Sequence, residues 1–61
     1  MTTREIIERE LAKRNIKVNG TVFFKYNEDD TRVTVYDMDI ETFSKKKIAY
    51  YLVPFNNLVK A

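Results

Sequence analysis

The stretch DMDIETFSKKK, residues 37–47, holds the densest set of groups in the chain that could do chemistry. Three carboxylates at alternate positions are followed by three consecutive lysines: Asp37, Asp39, Glu41, Lys45, Lys46 and Lys47. In a straight strand alternate carboxylates share a face, but neighbours lie about 7 Å apart at the backbone. Divalent cations need several oxygens at roughly 2.0–2.6 Å, so we expect no metal site here.

The same stretch has the composition of a surface hairpin. A turn at residues 43–46 would bring Lys46 and Lys47 opposite Glu41 and Asp39 or their neighbours. Opposite charges across a strand pair stabilise it and oppose slippage of the register. We therefore interpret the carboxylates and lysines as a solvated, charged strand end.

The composition argues against catalysis and against a bound cofactor. The chain has 61 residues, no histidine, no cysteine and one glycine. It therefore lacks the commonest general base near neutral pH, any thiolate ligand and any glycine-rich phosphate loop. A chain this short forms a single domain, residues 1–61, and builds a desolvated pocket poorly. We expect a protein that is not an enzyme and carries no cofactor.

Size and charge indicate how the protein associates. Small domains commonly need a staple, and since disulfides and thiolate metal sites are excluded, we expect a homodimer. The net charge is only +2, but residues 27–42 carry six carboxylates and one arginine, whereas residues 43–61 carry four lysines and no acid. This asymmetry favours an oriented contact with a partner.

A charged N-terminus without an apolar run predicts a cytoplasmic protein that does not enter membranes.

The N-terminal segment predicts a helix over residues 3–15. Thr2 and Glu5 have the spacing of a capping box, in which each side chain satisfies a free backbone donor of the first turn. Ile6, Ile7 and Leu11 form a narrow apolar stripe. A helix of this length is marginal alone in water, so it must pack against other elements.

The next segment predicts strands. Asn19-Gly20 between β-branched flanks is a strong hairpin signal, which predicts a type I′ turn joining strands at residues 16–18 and 21–27. After the loop NEDD we expect a third strand at 31–41 and, following the 43–46 turn, a fourth at 47–53 that Pro54 ends. The fold class is therefore α+β, an N-terminal helix on a four-stranded antiparallel meander. The alternative is an α-β-β-α fold with a second helix at 39–53.

The ending VPFNNLVKA resembles the closing segment of a Src-homology-3-type barrel. In that family a proline follows the fourth strand, an asparagine sits in a single 3₁₀ turn, and an apolar pair leads into a last short strand. Pro54, Asn56 or Asn57, Leu58 and Val59 match these places. The resemblance implies that the sheet curls into a small SH3-like barrel. The family's aromatic ligand motif and its tryptophan are absent, so no proline-peptide site carries over.

One helix covers one face of the sheet, for which we choose an apolar, mostly aliphatic set: Val22, Phe24, Val33, Val35, Ile48 and Leu52. The other face, here the second face, then carries aromatic and basic side chains that a monomer rarely leaves bare. With the lysine run, it supplies the predicted partner-binding residues: Phe23, Lys25, Arg32, Tyr36, Met38, Lys45, Lys46, Lys47 and Tyr51.

The leading hypothesis for function is a small regulatory or adaptor protein that engages another protein through this face, since Tyr, Phe, Met and Arg are typical of interfaces. The alternative is a single-stranded nucleic-acid-binding protein in which the aromatic residues stack bases and the lysine run tracks phosphates. A third possibility is a homodimer that buries the second face against its own copy and leaves the charged hairpin as the contact site.

Overall fold

The computed structural model describes residues 2–61 and has one helix packed on a four-stranded antiparallel sheet. The elements in chain order are α1 (Thr3–Lys13), β1 (Thr21–Tyr26), β2 (Arg32–Met38), β3 (Lys45–Leu52), a 3₁₀ turn (Val53–Phe55) and β4 (Asn57–Lys60). The predicted α+β class is confirmed. The alternative second helix at 39–53 is wrong, because most of that segment is β3. Among the described residues no helix is long and apolar enough to cross a membrane.

The helix begins as its capping box predicts. The Glu5 amide donates to Thr2 Oγ1 at 3.2 Å, and the Thr2 amide donates to Glu5 Oε1 at 3.3 Å. The helix ends at Lys13, short of the predicted residue 15, because Asn15 adopts the left-handed conformation with φ 57°. The Asn15 amide donates to the Ala12 carbonyl and the Ile16 amide to the Leu11 carbonyl, the pair of bonds that defines a Schellman motif.

The predicted Asn19-Gly20 hairpin is wrong, since residues 16–18 form no strand and Gly20 does not have a positive φ. The amides of Asn19 and Gly20 instead donate to the two carboxylate oxygens of Asp37, at 3.0 and 2.9 Å. A Cβ on Gly20 would lie 2.0 Å from the Met38 carbonyl oxygen. The glycine is needed because this bend lies directly against the end of β2.

The sheet order is β1-β2-β3-β4, so every strand pairs with its neighbour in sequence. β1 and β4 are the two edges of the described sheet, which is not closed into a barrel; the SH3-like barrel is therefore wrong. Part of the predicted local pattern at the C-terminus is present, with Pro54 in the 3₁₀ turn and Leu58 buried in the last strand. The expected asparagine lies just after the turn, since Asn56 caps it in the left-handed conformation. β4 thus supplies the fourth strand, in place of the one expected at 16–18.

The core lies between α1 and one face of the sheet. Ile7 and Leu11 of the helix are buried there against six residues of the sheet: Val22, Val33, Val35, Ala49, Tyr51 and Leu58. The Arg14 side chain fixes the helix end by donating to Glu10, which lowers the pKa of that carboxyl, and to Asn57 Oδ1 of β4 at 3.1 Å. α1 therefore spans the sheet from β1 to β4 on one side only.

A β-bulge at Ile48 sets which side of β3 faces the helix. Val35 pairs with Ala49 and Tyr36 pairs with Lys47, so Ile48 has no partner in β2. The alternation of side chains along β3 therefore changes phase at this residue. Ile48 packs against the core as expected. Beyond Ile48 the predicted faces of β3 are exchanged, since Leu52 was expected under the helix and Tyr51 on the second face. Ala49 and Tyr51 face α1, whereas Tyr50 and Leu52 face away.

Candidate functional site

The face of the sheet that points away from α1, here called the open face, is the candidate site. The strand registers place on it three aromatic residues, four cations and several smaller or aliphatic side chains. The aromatic residues and cations are Phe23, Tyr36, Tyr50, Lys25, Arg32, Lys45 and Lys47. Phe23, Tyr36 and Tyr50 are half-buried, and α1, the helix of the described residues 2–61, packs on the opposite side of the sheet.

The first cluster on the open face joins all three longer strands. Phe23 of β1 and Tyr36 of β2 are directly paired, with ring centroids 6.0 Å apart and planes tilted by 51°. The Lys45 ammonium of β3 lies 4.7 Å from the Phe23 centroid and 5.9 Å from that of Tyr36. These distances are within the range of cation–π attraction. One cation thus lies over two adjoining rings.

The second cluster surrounds Tyr50 of β3. The Arg32 guanidinium lies 5.5 Å from the Tyr50 ring centroid and the Lys47 ammonium lies 5.9 Å from it. Tyr50 pairs with Thr34, two residues along β2 from Tyr36. Diagonal neighbours of this kind have backbones about 7–8 Å apart, so the two clusters adjoin on one surface.

The charge on the open face is of one sign. None of the strand residues on this face, as the registers place them, is an aspartate or glutamate. Asp37, the carboxylate within β2, lies on the side of α1, where it accepts hydrogen bonds from the backbone amides of Asn19 and Gly20. The remaining acids near the sheet lie in the loops at its two ends, residues 27–31 and 39–44. The open face therefore has a local positive charge that the net charge of the chain understates.

Of the nine predicted site residues, seven lie on the open face: Phe23, Lys25, Arg32, Tyr36, Met38, Lys45 and Lys47. Tyr51 does not, since it is only 4% exposed beneath α1 and its hydroxyl donates to Asn56 Oδ1 at 2.7 Å. Lys46 pairs with Asp37 and shares its side of the sheet. Tyr50 was missed. Every residue from Ile48 to Val53 is apolar or aromatic, so the sequence has no alternation that indicates whether Tyr50 or Tyr51 lies on the open face.

Two carboxylates of the 37–47 stretch, Asp37 and Asp39, accept hydrogen bonds from backbone amides. The turn spans residues 39–44 instead of 43–46, and Asp39 Oδ1 accepts the amides of Glu41 at 2.8 Å and Thr42 at 3.4 Å. The predicted register was wrong, because Lys46 lies opposite Asp37 and Lys47 opposite Tyr36. Among residues 2–61 no group of three or more potential metal ligands comes together.

Removing the Asp37 carboxylate is expected to destabilise the fold. Asp37→Ala deletes two charge-assisted hydrogen bonds to the 19–20 bend, and we expect the free energy of unfolding to fall by about 2 kcal/mol. Urea unfolding followed by circular dichroism measures this change. Asp29→Ala, in the exposed 27–31 loop, is the control and is expected to change stability by less than about 0.5 kcal/mol. Equal effects of the two substitutions would contradict the assigned role of Asp37.

Comparisons of the chain with protein-family models, with curated proteins and with solved structures gave no match. The open face combines three aromatic rings, four cations and no strand carboxylate on one side of a sheet whose other side packs its buried residues against the helix.

Proposed function

We propose that the protein is a non-catalytic binding module that contacts a negatively charged macromolecule through the open face. The observation that carries this proposal is the charge of that face, which has four cations and no carboxylate at its strand positions. Such a surface attracts an anionic partner and repels a cationic one. Since the chain has no histidine or cysteine, the module acts by occupying or positioning its partner, which is a regulatory or adaptor role.

Another protein fits this surface if it presents an acidic segment. The rings of Phe23, Tyr36 and Tyr50 and the side chains of Met38 and Arg32 are of the types enriched in protein interfaces. Several are only partly exposed because they pack on one another. A preformed surface of this kind loses little side-chain freedom when it binds. These features support a protein partner as one class of anionic occupant.

The open face is poorly suited to pairing with its own copy. A two-fold interface places the same patch on both subunits, so face-to-face association would bring two sets of the same four cations together. Without carboxylates on that patch, the contact has like-charge repulsion and no compensating pairs. We therefore do not propose the homodimer as the state that covers this face.

The proposal is tested by titrating the protein with labelled polyanions at low salt. The probes are a polyglutamate peptide and a single-stranded oligonucleotide of equal charge, with binding followed by fluorescence anisotropy. Lys45→Gln with Lys47→Gln removes two cations of the open face and is expected to weaken binding about tenfold. The matched control is Lys17→Gln with Lys60→Gln, which has the same change of charge and is expected to leave binding nearly unchanged. Lys60 pairs with Ala49 on the helix side, and Lys17 lies outside the strands between Ile16 and Val18, which pack against the core.

Two results would contradict the proposed function. One is that neither polyanion binds the protein at low salt. The other is that the control pair weakens binding as much as the open-face pair, because the attraction would then follow the total charge and not the surface.

A further inference from the structure

We infer that the anionic partner of the open face is a single-stranded nucleic acid, whose bases stack on the aromatic rings while its phosphates contact the cations. This inference rests on the proposed function and adds the chemical class of the partner. It follows from the way rings and cations alternate across the strands, which a charge count alone does not capture.

The rings of the open face form a row across three strands. Phe23 and Tyr36 are directly paired, and Tyr50 follows on the next strand at a diagonal position about 7–8 Å from Tyr36. Sheet surfaces with aromatic side chains in such a row stack roughly two or three unpaired bases. The row is accessible because α1 lies on the opposite side of the sheet.

Every ring cluster has its own cation. Lys45 lies over Phe23 and Tyr36, and Arg32 and Lys47 lie over Tyr50. A single strand of nucleic acid repeats one flat ring and one negative charge in each unit. The long lysine side chains can leave the rings for neighbouring phosphates, and a base then takes the vacated ring face. At an exposed site a stacked base contributes more than a cation over the same ring, so this exchange is favourable.

Two other anionic partners fit the arrangement less well. A duplex keeps its bases stacked inside the helix, where side chains on the surface of a sheet cannot reach their faces. An acidic protein segment satisfies the cations but supplies no repeating flat groups for the rings. The unpaired base is therefore the chemistry that uses both halves of the surface.

The deciding experiment compares two oligomers with the same number of phosphates. One is a single-stranded twelve-nucleotide DNA, and the other is the same backbone with every base replaced by an abasic spacer. We expect the base-bearing oligomer to bind at least about tenfold more tightly. If all four cations contact phosphates, log K falls against log salt with a slope of about −3.

The outcomes separate the inference from the proposed function. Equal affinity for the two oligomers would overturn base stacking while leaving an anionic partner in place. Tighter binding of the polyglutamate peptide than of either oligomer would assign the surface to an acidic protein segment. Absence of binding to every polyanion would overturn the proposed function as well.

Single substitutions test the rings themselves. Tyr36→Leu and Tyr50→Leu keep apolar bulk and remove a ring, and each is expected to weaken binding of the base-bearing oligomer roughly 5- to 100-fold without affecting the abasic one. Tyr50→Phe keeps the ring and is expected to retain binding. The control is Tyr26→Leu, since Tyr26 is 40% exposed on the helix side of β1. An equal loss for Tyr26→Leu and Tyr50→Leu would overturn the inference.

Discussion

Gly20→Ala is expected to lower the free energy of unfolding by at least about 2 kcal/mol, although alanine is the smallest possible addition. The new Cβ would lie 2.0 Å from the Met38 carbonyl oxygen and 2.8 Å from its carbonyl carbon. Both are backbone atoms at the end of β2, where Met38 pairs with Thr21 and Lys45, so they cannot move aside independently. The 19–20 bend must therefore lift from the sheet and loosen its bonds to Asp37.

Urea unfolding of Gly20→Ala beside Asn19→Ala measures this cost. Asn19→Ala keeps the backbone amide that donates to Asp37 and adds no atom against β2, so we expect a change below about 0.5 kcal/mol. Similar losses for the two variants would mean that the close approach at Gly20 does not matter. The same conclusion would follow if the backbone amide at position 20 exchanged its hydrogen as slowly in Gly20→Ala as in the unsubstituted protein.

The Asn-Gly signal misled the sequence interpretation because a glycine can be required for two different reasons. A type I′ turn needs positive φ, which depends on adjacent residues and can be inferred from them. The absence of a Cβ at Gly20 matters because of Met38, which only the tertiary fold brings close. By contrast, the capping box of Thr2 and Glu5 was predictable because both partners belong to one helical turn.

Most of the open face could be predicted because β1 and β2 alternate regularly. Phe23, Lys25, Arg32 and Tyr36 follow from period two alone. β3 could not be assigned in the same way, since the bulge at Ile48 changes the phase of the strand. Every residue from Ile48 to Val53 is apolar or aromatic, so the sequence has no alternation to reveal that change.

The bulge also determines the chemistry of the candidate site. It directs Lys45 and Lys47 to the open face before the irregularity and Tyr50 to the same face after it. In a regular strand these positions differ in parity, and Tyr50 would lie on the side opposite the two lysines. The Lys47 contact with Tyr50 therefore depends on the bulge, as does the charge of the open face.

Ile7→Ala is expected to destabilise the protein by about 3 kcal/mol, within the range of roughly 2–5 for such core truncations. Ile7 is 0% exposed at the centre of the contact between α1 and the sheet. A domain of this size has only a few kcal/mol of stability, so we expect the variant to be largely unfolded in buffer and to lose oligonucleotide binding. Ile7→Val, expected to cost roughly 0.5–1.5 kcal/mol, gives a graded intermediate that still folds.

The matched control is Ile40→Ala, the same substitution at a residue that is 66% exposed in the 39–44 turn. Its side chain does not pack against the core, so the free energy of unfolding should change by less than about 0.5 kcal/mol and binding should be unaffected. Urea unfolding and the anisotropy titration measure both effects on the same samples. Two results would contradict the claim that packing of α1 stabilises the sheet. One is equal destabilisation by the two substitutions, and the other is binding by Ile7→Ala as tight as that of the unsubstituted protein. The open face exists only while the helix holds the other side of the sheet, which is why stability and binding must fail together in Ile7→Ala.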